Sequence, residues 1–391
     1  MTNITIRRVE GDEMMEMFYL LLGYAFRASP PLQSRENWLP LQKNSYEATF
    51  LVLFEDDKPV VSAAYHPMTQ NVRGHIYSTG GVWGVSTLPQ ARRQGYARQI
   101  MSALLNTMRE ADVAFSLLYP FRESFYERLG YTTFPQPRIA KFNPATLAPL
   151  LKYDFPGKVE LYTLAEGIAE YRAYLQRRQA HIHGMGLFGQ WSEAYLKEMN
   201  NRWVALAKVD GQMVGAMLYF IEKLGGPMPV IRFYYDHSVA KYLLLEWLAR
   251  HADQVAEVEL QLPPYEQPET WLADLHPKLE PFDPPMGRIL NIQQIGGMQV
   301  GSGQFSAHIR DPFCNWNEGL YQFESVDGLL KVTPTDRADC ELTIQAISAL
   351  VFGTHTPADF ALRGWGNPSP ATIATMHQLF PPILPYAHER F

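Results

Sequence analysis

The chain has 391 residues, 47% of them hydrophobic and 19% charged, with 34 Lys and Arg against 40 Asp and Glu for a net charge of −6. That balance excludes a disordered tail or a coiled-coil rod, and a mildly acidic surface argues against nucleic acid as the main partner. Two cysteines, Cys314 and Cys340, are too few for a disulfide framework or a cysteine metal site.

At roughly 150 residues per domain, the length predicts two or three domains. The start, from Met1 to Glu10, lacks the apolar stretch of a signal peptide, and no apolar run approaches the ~18 residues that span a bilayer. A soluble protein of a reduced compartment, the cytoplasm, is expected.

Ile4 and Ile6 alternate with polar neighbours as in a strand, and the apolar stretch from Met14 to Phe26 reads as a helix. Thr49–Phe54 and Pro59–Tyr65 form a hairpin about the polar turn Glu55-Asp56-Asp57-Lys58. Ile76–Thr87 is extended, and Gly80, Gly81 and Gly84 within it predict a bulge or a close backbone approach. After Pro89 an amphipathic helix begins, with Ala97, Ile100, Met101, Leu104, Leu105 and Met108 on one face. Val113–Leu118 is a buried strand, Pro120 ends it, and a short helix from Ser124 stops at Gly130.

The middle of the chain repeats this order. Val159–Thr163 is a strand and Leu164–Ala180 a helix; a hairpin follows about Asp210-Gly211, then a strand at 230–235, a helix at 240–252 and a strand at 255–262. The matching order predicts a duplicated fold. Pro-rich stretches at 263–264 and 281–285 lead to a third unit, in which five short strands from Arg288 onward precede helices at 345–351, 357–363 and 369–380. Strands followed by helices indicate an α+β domain. The domain limits are set at 1–145, 146–287 and 288–391.

The densest chemical signal is Val85-Ser86-Thr87-Leu88-Pro89-Gln90-Ala91-Arg92-Arg93-Gln94-Gly95-Tyr96-Ala97. A strand runs into a turn with two arginines and a glycine at the head of a helix, which is an anion cradle. Unpaired backbone N–H groups and the positive end of the helix dipole meet at one spot, and Gly95 lets a ligand approach. The competing reading is a solvated basic turn before an ordinary helix. Other motifs fail on context. Gly184-Met185-Gly186-Leu187-Phe188-Gly189 spells a dinucleotide fingerprint but follows a helix, so it is assigned to a loop. His181 and His183 have no third ligand at zinc spacing and are assigned to the surface, and no metal is expected.

Arg92-x-x-Gly95-x-Ala97 resembles the acetyl-CoA pyrophosphate motif of GNAT acetyltransferases. With Ser116-Leu117-Leu118-Tyr119-Pro120-Phe121 and Phe125-Tyr126-Glu127-Arg128-Leu129-Gly130-Tyr131, the whole chain resembles the Eis (enhanced intracellular survival) family of bacterial GNAT enzymes. The resemblance implies two tandem GNAT-like mixed α/β domains followed by a sterol-carrier-protein-like α+β domain. Ala346–Val351 is similar to the apolar helix after the sheet in such domains.

The resemblance also assigns roles. Backbone groups of Val85, Ser86 and Thr87 would hold the pantetheine arm of acetyl-CoA, and amides of Arg93, Gln94, Gly95, Tyr96, Ala97 and Arg98 would surround its pyrophosphate. Phe121 and Arg122 would lie near the thioester. Tyr126 would be the general acid for the departing thiolate, suited to it by an ordinary phenol pKa near ~10. The terminal carboxylate of Phe391 would be the general base. Phe26 and Trp38 are expected in the walls of the substrate pocket. The implied partner is a small-molecule amine, polycationic and an aminoglycoside especially, with no nucleic acid or membrane involved. A homo-oligomer, by resemblance a hexamer, is implied too. In the second copy, Tyr234-Tyr235-Asp236-His237-Ser238-Val239-Ala240 has neither glycine nor arginine at the cradle, so that copy is expected not to bind CoA. The alternative to an N-acetyltransferase is a lipid- or small-molecule-binding protein with the GNAT domains as scaffold.

Overall fold

The structure is a computed structural model that describes residues 2–27, 34, 48–189 and 201–390. The chain divides into two compact units. One comprises Met1–Phe134, Ile182–Ala194 and Pro285–Phe391, the other Pro135–His181 and Tyr195–Pro284.

The first unit opens with β1 (Ile4–Val9) and a helix in three pieces: α1 (Gly11–Met17), a π-helical turn at Phe18–Leu22, and α2 (Gly23–Arg27). β2 (Thr49–Glu55), β3 (Lys58–Val72) and β4 (His75–Thr87) then form an antiparallel meander with β1. α3 (Tyr96–Glu110) crosses over so that β5 (Phe115–Leu118) lies parallel to β4. Its buried Ile100, Met101, Leu104, Leu105 and Met108 are the predicted apolar face. Gly80 has a packing reason, because a Cβ there would stand 2.0 Å from Met108 Cε. The helix α4 (Glu123–Glu127) and β6 (Thr132–Thr133) follow.

Two strands join this sheet from far along the chain. β15 (Met286–Ile289) inserts between β5 and β6, antiparallel to both. Arg288 and Ile289, expected at the head of the third unit, thus pair with the first sheet instead. β9 (Gly186–Phe188) pairs with Met68–Gln70 of β3, which corrects the assignment of 184–189 to a loop. A three-residue strand carries too little pattern to be read, but an unpaired stretch of β3 offers it a ladder.

The second unit repeats the plan. β8 (Lys158–Thr163) is followed by α5 (Leu164–Gln179). β10 (Trp203–Val209), β11 (Gln212–Tyr219) and β12 (Pro227–Tyr235) form the meander, and α6 (Ser238–Ala249) leads to β13 (Glu257–Leu262). β8-β10-β11-β12 are antiparallel and β12–β13 parallel, as are β1-β2-β3-β4 and β4–β5. The duplication expected from element order is thus present in strand pairing. β7 (Arg138–Phe142) and β14 (Lys278–Pro281) complete this sheet.

The last segment adds a four-stranded sheet, β16 (Gln304–Arg310), β17 (Gly319–Val326), β18 (Leu329–Pro334) and β19 (Cys340–Thr343), then α7 (Ile344–Phe352), α8 (Phe360–Arg363) and α9 (Pro370–Leu379). α7 is almost wholly apolar because all of its residues but Gln345 are buried. Phe352 at its end packs on Phe115 and Phe134 of the first sheet, with ring centroids 5.4 and 4.9 Å away. Across it lie Phe305, Phe323 and Phe380, so this sheet and the first share one core.

Candidate active site

β4 and β5 are paired only from Thr79–Phe115 to Val82–Leu118. Beyond that point β5 ends at Tyr119-Pro120, whereas β4 continues to Thr87 and keeps its ladder to β3 alone. The edge of Trp83–Thr87 that faced β5 is left without a strand partner, and it borders a cleft of ≈ 970 Å³. A β-bulge sits at the divergence. β4 carries one extra residue between Trp83 and Ser86, and Gly84 takes φ 62° to accommodate it. Ser62 fixes the bulge: its hydroxyl donates to the Gly84 carbonyl at 2.8 Å and lies 2.8 Å from the Ser86 hydroxyl.

Past β4 the chain turns through Arg92, whose Nε donates to the Thr87 carbonyl at 3.1 Å, into α3. Arg93 (φ 64°) and Gly95 (φ 80°) are both left-handed, the backbone pattern whose N–H groups form anion-binding concavities. Gly95 is the N-cap and no side chain caps the helix. Its carbonyl takes the Arg98 and Gln99 amides at 3.1 and 3.2 Å, so the Tyr96 and Ala97 amides, as first donors of the helix, lack intrahelical partners. A Cβ built on Gly95 meets nothing within 4 Å. The cradle is open, with a helix N-terminus and three exposed arginines around it, and so fits a diphosphate.

Val85, Ser86, Thr87, Arg93, Gly95, Tyr96, Ala97, Arg98, Phe121, Arg122, Tyr126 and Phe26 all line this one cleft. Gln94 lies on the turn with its side chain bonded back to the Gln90 carbonyl. Trp38 and Phe391 fall outside the described residues. Phe26 is 65% exposed, on the cleft wall built by the helix with the π turn.

Tyr126 is buried at the base of the cleft, edge-on to Phe121, Phe125 and Tyr131 at 5.6, 5.0 and 6.0 Å. Burial raises its phenol well above the ordinary value, with the neighbouring Tyr131 adding to the effect. The expectation of an ordinary phenol pKa is therefore corrected: in this apolar setting the anion is disfavoured and the hydroxyl stays protonated at every working pH.

Two residues of the cleft lining were not singled out from sequence. Trp83 lies on the cleft wall, stacked on His66 with centroids 5.0 Å apart and planes 5° apart. Tyr119, also in the lining, donates its hydroxyl to the Glu389 carbonyl at 3.1 Å, and the Arg390 guanidinium lies 5.5 Å over its ring. A residue of the cleft wall is therefore in contact with the C-terminal tail, whose His388 and Glu389 are buried. His183 is buried too, 5% exposed, which corrects its assignment to the surface. A tyrosine directly after a buried run and before Pro120 is the one local signal that could have pointed to Tyr119.

At the β12–α6 turn of the second unit the helix head is occupied by a side chain. There His237 caps α6 with its side chain, accepting from the Ala240 amide, where the first copy leaves Gly95 bare. Asp236 takes the Tyr174 hydroxyl at 3.1 Å and Arg178 at 3.4 Å. Lys241 lies over the rings of Tyr235, Tyr242 and Trp271. The donors that would greet an anion are already used.

Residues 5–134 match the family described as acetyltransferase (GNAT) domain, and residues 294–388 the family described as sterol carrier protein domain. No curated protein matches the chain. Several solved structures share the fold over its whole length. A probable N-acyltransferase from Enterococcus faecalis is 19% identical with a TM-score of 0.86, covering 100% of both chains. A GCN5-related N-acetyltransferase from Anabaena variabilis is 17% identical with a TM-score of 0.86, again covering 100% of both. Eis1 from Mycobacterium abscessus is 16% identical with a TM-score of 0.80 and the same full coverage. Among the described residues no cluster of side chains could hold a metal ion, and no helix is long and apolar enough to cross a membrane.

Proposed function

We propose that this chain, an Eis-like GNAT N-acetyltransferase using acetyl-CoA as co-substrate, acetylates primary amines of polycationic small molecules, aminoglycosides foremost. The observation that carries the proposal is the convergence of the splayed β4 edge, the uncapped Gly95 turn and Tyr126 on one cleft. In this reading Val85, Ser86 and Thr87 extend the sheet by pairing with the pantetheine arm. Arg93, Gln94, Gly95, Tyr96, Ala97 and Arg98 take the pyrophosphate.

Acetyl-CoA supplies the acetyl group: a C–N bond forms as the C–S bond breaks, and the amine's protons end on the base and the thiolate. Holding both substrates in one cleft supplies much of the rate. A backbone N–H beside Val85 stabilises the charge on the carbonyl oxygen. Because burial raises the Tyr126 phenol, its part is to donate a hydrogen bond to the departing sulfur and to relay the amine's second proton to it. It takes one proton from the nitrogen as it gives one up, so that the phenol is restored. The terminal carboxylate of Phe391 is the base or orienting group for the incoming ammonium, which fits a tail whose Glu389 and Arg390 contact Tyr119. The acidic net charge favours a cationic acceptor.

The second copy, with its cap and acid already engaged, does not bind CoA in this reading. The protein is a cytoplasmic homo-oligomer, a hexamer by family resemblance, with no nucleic-acid or membrane partner. The lipid-carrier alternative is disfavoured by the third sheet, whose inner face is packed by Phe305, Phe323 and Phe380 against the helices. The deciding experiment offers purified protein acetyl-CoA and a panel of amines, aminoglycosides included, and follows release of CoA thiol. No turnover with any amine, together with co-purifying lipid, would reverse the choice.

A further inference from the structure

The hairpin between β3 and β4 turns at Arg73-Gly74, with φ of 50° and 80°. Three other two-residue hairpins among the described residues have the same handedness, and each opens on aspartate: Asp56-Asp57, Asp210-Gly211 and Asp327-Gly328. Aspartate is what a left-handed turn position favours; arginine is not. Arg73 is also 6% exposed at a hairpin tip, where a solvated side chain would be expected. Local preference has been overridden by something else.

The guanidinium shows what. Nε donates to the Val351 carbonyl at 2.7 Å, Nη2 to Leu350 at 2.9 Å, and Nη1 to Pro381 at 3.0 Å. Its cation thus meets the last carbonyls of α7, at the negative end of the helix dipole, and the first residue of the C-terminal tail. Among the described residues it has no carboxylate partner. His183 works beside it. Its Nδ1 accepts from the Arg73 amide at 3.0 Å, and its Nε2 lies 3.0 Å from the Phe352 carbonyl, as the N–H tautomer requires. Burial, with the adjacent Arg73 cation adding to it, pushes this imidazole down to about 3, so it is neutral in use.

From this point the tail is held at successive places. Gly353, left-handed at the end of α7, lets Ile383 cross so closely that a Cβ would lie 2.2 Å from its carbonyl oxygen. The Tyr386 amide donates to the His183 carbonyl at 2.9 Å, and a Cβ on Gly184 would lie 2.8 Å from that same amide. Tyr386, Ala387, His388 and Glu389 are then buried, and the Glu389 carbonyl accepts from the hydroxyl of Tyr119 on the cleft wall. We infer that Arg73 and His183 are positioning residues for acetyl transfer, clamping the start of the C-terminal tail so that Glu389 and Arg390 are held against Tyr119 of the cleft wall. The inference rests on the acetyltransferase reading above and adds the device that aims its base.

The test uses the full chain with Arg73→Gly, which suits the left-handed turn and removes the side chain with its guanidinium, and Arg73→Lys, which keeps the stem and a cation. Two nucleophiles separate aiming from folding: a primary alkylamine, protonated at neutral pH and dependent on the base, and hydroxylamine, neutral there and independent of it. Arg73→Gly is expected to lower kcat for the alkylamine about 10²-fold, the cost of a misplacement of an ångström or so. KM for acetyl-CoA and the hydroxylamine rate stay within about twofold of the parent, and Arg73→Lys regains part of the loss. In a chain ending at Ala387, the same substitution adds nothing further, because what it aims is gone. Hydrogen exchange over Pro381–Glu389 reads the clamp without turnover and rises in Arg73→Gly.

Parallel loss with both nucleophiles, an additive effect in the shortened chain, or unchanged exchange in the tail would each overturn the inference. If Arg73→Gly does not fold, Arg73→Lys carries the same comparisons. A parent inactive with every amine defeats the acetyltransferase reading instead, and the exchange measurement still decides whether the clamp exists.

Discussion

Replacing Gly95 tests the cradle by charge alone when aspartate and asparagine are compared. Both side chains tolerate the left-handed conformation that Gly95 adopts, and a Cβ there meets no atom within 4 Å. The strain of about 1 kcal/mol is largely offset by a new N-cap, which α3 lacks, so thermal stability should move by no more than a few degrees in either variant. The two variants part company when a diphosphate approaches. An aspartate roughly 5 Å from two negative charges in a water-like dielectric raises the binding free energy by about 2 kcal/mol. That corresponds to a roughly thirtyfold higher KM for acetyl-CoA in Gly95→Asp than in Gly95→Asn. Initial rates of thiol release against acetyl-CoA concentration measure the ratio. It should shrink as salt rises, because the site is open. Equal KM values for the two variants, at any ionic strength, would show that no anion sits at the head of α3.

Tyr126→Phe should bind acetyl-CoA as the parent does and lose on the order of 10²-fold in turnover, measured as kcat at saturating amine; equal turnover would return Tyr126 to a packing role. Residues appended after Phe391 should abolish most activity while thermal stability stays within a degree or two, and a fully active C-terminally tagged protein would leave the base unidentified. Stability should fall with acid through His183. The unfolded imidazole takes a proton below about 6.5, the folded one only near 3. Stability is therefore whole above pH ~6.5 and is lost at about 1.4 kcal/mol per pH unit below it, with a shallower slope in His183→Asn by chemical denaturation.

The cradle was legible because its chemistry is local: a strand end, a basic turn and a glycine at a helix head are neighbours in sequence as they are in space. The hairpins at Asp56-Asp57 and Asp210-Gly211 were legible for the same reason, since the turn position selects its residue. Arg73 was opaque on the same logic. An arginine at a hairpin tip reads as solvated, and its partners Leu350, Val351 and Pro381 lie 277, 278 and 308 positions away. His183 was misplaced because burial of a polar ring depends on partners, here the Arg73 amide and the Phe352 carbonyl, that no spacing rule relates. The protonation of Tyr126 depends on the apolar rings around it, three of which were in plain view without their packing.

A ribosome makes this chain in an order that its first sheet does not follow. Residues 135–284 are synthesised between β6 and β15, the strand that stands between β5 and β6. At about 5–20 residues per second, the emerging first sheet waits on the order of ten seconds for its missing member. Throughout that interval the Phe115-Ser116-Leu117-Leu118 edge has no neighbour on one side, the kind of edge that recruits foreign strands. The turn after Tyr126 also lacks Arg288, which donates to the Leu129 carbonyl once β15 arrives. The inserted unit, by contrast, has all its strands before Pro285 leaves the tunnel. The guest matures before the host, and a chain cut short after its first 145 residues would be trapped in the waiting state, an insoluble fragment rather than a minimal enzyme.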